Sequence, residues 1–235
     1  FTESVGGATP TRFRGVTRHL NYLAGWGYGS GNFDQTVGED RPELVRTSLP
    51  GQPTLFNREH YAIVGNRRDP VLHCISSGDR LGVLKEAEGY PFVGSSRDDF
   101  GVSPVPVDPL FGVQAGALAV NFGGMVMAWS AEGPRLWDFS GPSKDIAMPL
   151  DLLGPQPADL AEASEVARGF ACYIPEQRIV AFVFGQRVYA FSVRNENEPR
   201  WAGYWELDQP AYCAFTLYTG QQLSSAPSGY PAIDT

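Results

Sequence analysis

The sequence has few cysteines, and their arrangement suits neither metal binding nor a disulfide framework. Its 235 residues include three, Cys74, Cys172 and Cys213. They are far apart, odd in number and never spaced as a CxxC pair, so neither a zinc site nor a set of disulfides is predicted. All three lie in apolar, strand-like segments, which is typical of small buried hydrophobic side chains.

Long apolar runs and clustered positive charge are also missing. No run of 18 apolar residues occurs, and the formal net charge is −8 with a pI of about 4.9. Because a spanning helix needs about 20 apolar residues, no membrane-spanning segment is predicted. The basic groups are no larger than Arg12, Arg14 and Arg18, or the pair Arg67–Arg68. An acidic surface repels phosphate, so a protein that recognises nucleic acid is disfavoured.

Motifs for common catalytic and metal sites are absent from the sequence. The three histidines, His19, His60 and His73, form no HExxH or HxH motif, and there is no GxSxG or GK[ST]. The adjacent carboxylates Asp98–Asp99 could bind calcium or act on a glycosidic bond, but a loop turn capped by aspartate is favoured. We therefore predict no catalytic, cofactor-binding or metal-binding residues, no cofactor, and a protein that is not an enzyme.

Turn residues and aromatic residues are abundant. The chain has 27 Gly and 19 Pro, and 12% of its residues are aromatic. Short apolar runs separated by turn residues predict antiparallel hairpins, as in Tyr61–Ile75, Ala117–Phe139 and Phe170–Val193. These groups recur at roughly 50-residue spacing, which predicts an all-β, β-propeller-like array of short antiparallel sheets. β-Sandwich domains would show similar turn spacing and are the alternative.

One segment departs from the β pattern, and two flanks have weaker patterns. Ala158–Arg168 is rich in Ala and Glu, lacks Gly and carries charges suited to a helix dipole, so it predicts one short helix. The alternating glycines of residues 25–31 predict a loop or a weak edge strand.

We expect the propeller-like domain to span residues 41–218. Residues 1–40 are expected to be a flank that belongs to or leads to another domain, and residues 219–235 a C-terminal loop.

Four of the five tryptophans, Trp129, Trp137, Trp201 and Trp205, fall at predicted strands or strand ends. Exposed aromatic rings beside carboxylates could stack on sugar rings. The favoured interpretation is that the rings fill the wedge-shaped gaps between neighbouring sheets.

Three stretches resemble tailed-bacteriophage virion proteins that carry a propeller-like domain. Arg41–Glu86 contains PELVRTSLPGQPTLFN and then SSGDRLGVLKE, Gly112–Phe139 contains NFGGMVMAW and GPRLWDF, and Ala158–Leu207 contains ACYIPEQRIVAFVFGQRVYAF and RWAGYWEL. Their order and spacing in one chain carry the resemblance more than any single motif does. The sequence departs from the family at Gly82, where an aliphatic residue is usual, and at Phe111, where the family has cysteine.

The resemblance implies a structural role in the virion, in the phage tail. The chain is similar to tail proteins of the nozzle class or of the head-to-tail and tail-tube class, which form rings around the DNA conduit. The implied partners are further copies of the chain, other tail, adaptor or portal proteins, and double-stranded DNA that passes without sequence-specific contact. The alternative is a glycan-binding or glycan-cleaving propeller, such as a receptor-binding tail protein or a secreted lectin. A third hypothesis is a peptide-binding scaffold.

Overall fold

The structure is a computed structural model that describes residues 13–27, 42–93, 101–102, 106, 111–146, 163–211 and 213–214. Within these residues the chain forms four antiparallel sheets of four strands and one short helix, α1 (Ala163–Arg168). Each sheet is built from strands that are consecutive in the chain, so the chain turns back and forth within one sheet before it enters the next.

The strands have the following bounds. The first sheet holds β1 (Gly15–His19), β2 (Tyr22–Trp26), β3 (Leu44–Leu49) and β4 (Gln52–Ile63). The second holds β5 (His73–Ser77), β6 (Arg80–Leu84), β7 (Gly89–Val93) and β8 (Gly101–Val102). The third holds β9 (Ala119–Phe122), β10 (Met125–Ser130), β11 (Gly133–Trp137) and β12 (Lys144–Asp145). The fourth holds β13 (Phe170–Ile174), β14 (Ile179–Phe184), β15 (Arg187–Ser192) and β16 (Arg200–Glu206).

The hairpin between β9 and β10 shows how the turn residues set the strand register. Phe122 faces Met125 across the hairpin, so Gly123 and Gly124 alone form the turn. Both have positive φ, 51° and 87°. A two-residue turn with positive φ at both positions matches the right-handed twist of the flanking strands, and glycine adopts it without steric cost.

Apolar side chains on facing sheets form the core. The layer between the first and second sheets contains Ala24, Trp26, Val45, Val64, Val71, Cys74, Leu81, Val83, Tyr90 and Phe92. A larger cluster continues from the second sheet through the third to the fourth. In the third sheet Trp137 lies on the face toward the second sheet and contacts Phe111, whereas Trp129 lies on the opposite face and contacts Phe182 of the fourth. These two tryptophans therefore fill the gaps between sheets, as predicted.

The first strand of each sheet contacts the first strand of the next. Contacts join β1 to β5, β5 to β9, and β9 to β13, and no contact of similar extent joins β13 back to β1 in the described part of the chain. Direct hydrogen bonds accompany this packing, for example from Ala171 N to Ala117 O at 2.7 Å. The four sheets thus form a propeller-like array with a first and a last member.

The predicted all-β class with short antiparallel sheets and one short helix is confirmed. Met125–Ser130 was predicted with its observed bounds, and the four sheets begin at residues 15, 73, 119 and 170. Of the predicted helix, residues 158–162 lie outside the described residues, as do residues 212 and 215–218 of the predicted strand at 212–218.

The expected start of the domain at residue 41 falls inside the first sheet. Strands β1 and β2 pair with β3, so residues 15–26 belong to the array. Gly25, expected in a loop or an edge strand, lies in β2 between β1 and β3. A Cβ atom there would come within 2.5 Å of the Phe13 ring, so this glycine allows an aromatic side chain to lie close to the sheet.

Candidate functional site

Two of the three histidines, His19 and His73, occupy structural positions. His73 packs edge-on against Trp26, with 5.4 Å between ring centroids, and burial lowers its pKa to about 4. A neutral imidazole here can fill space between the first two sheets without a counter-charge. The side chain of His60 and the Asp98–Asp99 pair lie outside the described residues. Within the described ranges, no three His, Cys, Asp or Glu side chains are placed to hold a metal ion.

His19 belongs to a polar connection between the inner strands of three sheets. Its Nδ1 lies 3.0 Å from Ser76 Oγ, and Asn121 Nδ2 donates to the backbone oxygen of Ser76 at 2.5 Å. Burial lowers the pKa of His19, and Asp79 partly opposes that shift. Because β1, β5 and β9 each supply one residue, the connection fixes the inner strands relative to one another. No sequence pattern indicated this connection, because its members are a single histidine and short polar side chains in separate strands.

Lys85 forms a second buried polar connection that the sequence analysis missed. Its side chain is fully buried, and Nζ donates to the backbone oxygens of Val64 at 2.9 Å and Asn66 at 2.7 Å. Burial lowers the pKa of Lys85, while the carboxylates of Asp69, Glu88 and Glu43 raise it. The lysine thereby ties the end of β6 to the chain that leaves β4. Its signal in the sequence was weak, a single lysine directly after the apolar strand LGVL.

A mixed aromatic and charged patch lies on the fourth sheet. Tyr204 faces Tyr189 across β15 and β16, and Glu206 faces Arg187 beside them on the same face. Tyr204 Oη donates to Glu206 Oε1 at 2.5 Å, and its ring is 44% exposed. Burial, first of all, raises the pKa of Tyr189 to about 12, and its hydroxyl has no hydrogen-bond partner in the described part of the chain. Trp205 is the next residue and therefore points to the opposite face, so these two exposed rings do not form one platform.

The two ends of the array present the most apolar exposed surface. We define the first end face as the side of the first sheet that bears Val16, Tyr61 and Ile63. Register places Val16, Gly25, Arg46 and Tyr61 side by side, opposite the face that packs on the second sheet. The exposed fractions of Val16, Tyr61 and Ile63 are 40%, 47% and 55%.

The second end face is the side of the fourth sheet turned away from the third. It contains Phe170, Cys172, Ala181, Val183, Val188 and Trp205. Phe170, Ala181, Val183 and Val188 form a separate apolar cluster, against which Leu207 and Ala211 pack. Trp205, beside them, is 40% exposed. The prediction that the tryptophan rings fill gaps between sheets is wrong for Trp205, because no further sheet covers its face within the described residues.

Comparison with known proteins supports the fold and no particular function. No protein-family model matches the sequence, and no curated protein is significantly similar to it. Among solved structures, the crystal structure of the computationally designed Ika8 protein is similar, with a TM-score of 0.50 and 10% sequence identity. The similarity covers 87% of this chain and 52% of the designed chain, so this chain spans about half the length of that protein.

No helix in the described ranges is long and apolar enough to cross a membrane.

Proposed function

We propose that this chain is a structural protein of a tailed-phage virion, a tail protein that forms a ring around the DNA conduit. The observation that carries the proposal is that two of the three resembling stretches coincide with structural units. Gly112–Phe139 contains β9, β10 and β11 of the third sheet, and Ala158–Leu207 contains α1 and the whole fourth sheet. Arg41–Glu86 runs from β3 through β6 and so crosses from the first sheet into the second. The order of the three stretches along consecutive sheets supports a shared architecture with the phage proteins.

The proposed role is mechanical. Packed sheets joined by buried polar connections, such as those of Lys85 and His19, make a stiff body, because interiors of this density deform little. A stiff subunit suits a conduit wall, and its end faces and turns would contact further copies of the chain and the tail, adaptor or portal proteins.

The charge of the chain bears on a surface that would face DNA. The inner strands β1, β5, β9 and β13 contain no Asp or Glu. Acids occur in the hairpin turns, but Asp79 lies beside Arg80 and Glu132 beside Arg135, so these turns are mixed in charge. Weak retention of passing phosphates by the proposed conduit wall would therefore depend on the net charge of −8 of the whole chain.

Immunogold labelling tests the virion role. An antibody raised against this chain is applied to phage particles from a lysate of the source culture. We expect gold at one fixed site on the tail. Gold that is absent from particles and present on cells or in the medium would rule out the virion role.

A second candidate function, glycan binding, is favoured by the patch around Tyr204. An exposed ring beside the carboxylate of Glu206 and the guanidinium of Arg187 can stack on a sugar and bind its hydroxyl groups. A glycan array tests it. Binding that is lost in Tyr204→Ala and kept in Trp205→Ala would support this candidate, because the two rings lie on opposite faces of one strand.

A further inference from the structure

The hydroxyl group of Tyr189 is buried and makes no hydrogen bond within the described residues. The residue is 3% exposed, and its Oη atom has no acceptor or donor nearby. Most buried polar side-chain atoms are hydrogen-bonded, because an unsatisfied hydroxyl has lost its contact with water without gaining another. Burial above all raises the pKa of Tyr189 to about 12, so the hydroxyl stays protonated at neutral pH and is able to donate.

The guanidinium of Arg187 lies near this hydroxyl and is also without a hydrogen bond or ion pair in the part of the chain that the structure describes. Arg187 and Tyr189 are two positions apart on β15, so their side chains point to the same face. The positive charge of Arg187 is close enough to oppose, in part, the rise in pKa that burial causes at Tyr189 and that the hydrogen bond to Glu206 causes at Tyr204. Two donor groups are thus left over on one face of one strand.

Two carboxylates and one exposed ring surround these donors. Glu206 faces Arg187 across β15 and β16 and accepts the hydrogen bond from Tyr204 Oη at 2.5 Å. Besides burial, the nearby carboxylate of Glu165 in α1 adds to the rise in the pKa of Tyr189. The Tyr204 ring lies 5.3 Å from the Tyr189 ring between centroids, and Tyr204 is 44% exposed. Donors, acceptors and an accessible ring therefore occur together on this face.

We propose that this face of β15 and β16 binds a neutral sugar unit. The Tyr204 ring stacks on the apolar face of the sugar, while Arg187 and Glu206 bind its neighbouring hydroxyl groups. Tyr189 Oη donates to a further sugar oxygen when the exposed Tyr204 ring rotates outward. The inference deepens the second candidate function, glycan binding, by naming the class of sugar and the groups that hold it, and it rests on that candidate.

The charges of these groups favour a neutral sugar over an acidic one. Two carboxylates, of Glu165 and Glu206, accompany the single guanidinium of Arg187, and the whole chain has a net charge of −8. A sugar that carries a carboxylate or a sulfate would be repelled by this surface. A sugar hydroxyl both donates and accepts a hydrogen bond, so a pair of hydroxyls can satisfy the carboxylate and the guanidinium without adding charge.

The first test is a glycan array probed with the purified full chain. The array holds neutral glycans beside glycans that contain uronic acids or sialic acid. We expect binding to neutral glycans, and the neutral glycan with the strongest signal is then titrated by calorimetry. Binding to acidic glycans alone would overturn the inference and leave glycan binding itself in place. Binding to no glycan at all would refute the second candidate function together with the inference.

The second test isolates the hydroxyl of Tyr189. Tyr189→Phe removes this group alone and should weaken binding of the titrated glycan by about tenfold, the usual effect of one lost buried hydrogen bond. Its melting temperature should be unchanged or higher, because no hydrogen bond within the described residues is lost. Arg187→Gln should weaken binding by at least as much. The controls are Arg200→Gln, an exposed arginine at the other end of β16, and Trp205→Ala, on the opposite face.

The results of these variants decide the inference separately from the array. Unchanged affinity of Tyr189→Phe would show that its hydroxyl does not contact the sugar. A lower melting temperature of the same variant would show that the hydroxyl is already satisfied inside the protein. A loss of affinity in Arg200→Gln equal to that in Arg187→Gln would point to a general charge effect. Each of these three results overturns the inference, and the virion role is judged by the gold labelling alone.

Discussion

The fourth sheet has two faces of equal length and unequal surroundings. On one face Phe182 and Tyr189 pack against Trp129 of the third sheet, with ring centroids 5.2 Å and 5.4 Å from the tryptophan. On the other face Val183 and Val188 form a smaller cluster, and Trp205 is 40% exposed. Both faces are apolar because strands such as β14 are hydrophobic at consecutive positions, and consecutive side chains of a strand point to opposite faces. Among the described residues only one face meets a complete neighbouring sheet, yet Val183 and Val188 on the other face are 5% and 4% exposed. The comparison shows that an apolar sheet face at the end of an array can be buried without a further sheet.

The largest expected loss of stability comes from removing a large side chain between the third and fourth sheets. Trp129→Ala should lower the free energy of unfolding by about 3–5 kcal/mol, because it removes a ring that contacts Phe182, Phe184 and Tyr189. Urea denaturation measures it. A loss below about 1 kcal/mol would mean that this layer does not hold the third and fourth sheets together.

Adding side-chain volume between the second and third sheets should lower the free energy of unfolding by a somewhat smaller amount. A Cβ atom at Gly82 would lie 2.7 Å from the Trp137 ring, so Gly82→Val should destabilise the protein by an amount near the upper end of about 1–3 kcal/mol. The same contact accounts for a glycine rather than a larger residue at this position. Gly141→Ala is the control, because no atom lies within 4 Å of that added carbon. Equal effects of the two substitutions would contradict the prediction.

Acid should weaken the layer between the first and second sheets. The pKa of His73 is lowered to about 4 in the folded protein, against 6.5 for an unperturbed imidazole. The unfolded chain therefore binds more protons between these values, and stability falls as pH falls through this window. This one group should remove about 2 kcal/mol between pH 7.5 and pH 5. Urea titrations at several pH values test it, and His73→Gln should flatten that part of the profile.

The smallest loss of stability is expected on the face of the fourth sheet that is turned away from the third sheet. Trp205→Ser should lower the free energy of unfolding by about 1 kcal/mol, because the residue is 40% exposed and its ring is only partly buried. Urea denaturation measures it. A loss similar to that of Trp129→Ala would mean that the second end face is already part of the core.

Strong local patterns made much of the fold predictable. The segment MVMAWS between two glycine turns specifies a strand, and β14 with its flanking turns is equally clear. The first sheet was harder, because its Gly25 is explained by Phe13, a residue twelve positions earlier that packs over the strand. The two-residue strand β12 carries no pattern at all.

The candidate surfaces depended on tertiary arrangement and were therefore less predictable. Alternation assigns Tyr204 and Trp205 to opposite faces from sequence alone. Which face meets another sheet depends on the order of the sheets in space. Lys85 was missed for a similar reason, because its hydrogen-bond acceptors are backbone oxygens that have no signature in the sequence.

The consecutive order of strands within each sheet has a consequence for how the chain folds. Most pairings close a short stretch of chain, so the second, third and fourth sheets can form from local hairpins with little loss of chain entropy, and rapid folding is expected. In the first sheet the pairing of β2 with β3 must close the 17 residues that separate Trp26 from Leu44. The largest cluster links the second, third and fourth sheets, which makes this region the natural folding nucleus. The first sheet would then join last and open first, and its amide protons should exchange with solvent fastest under native conditions.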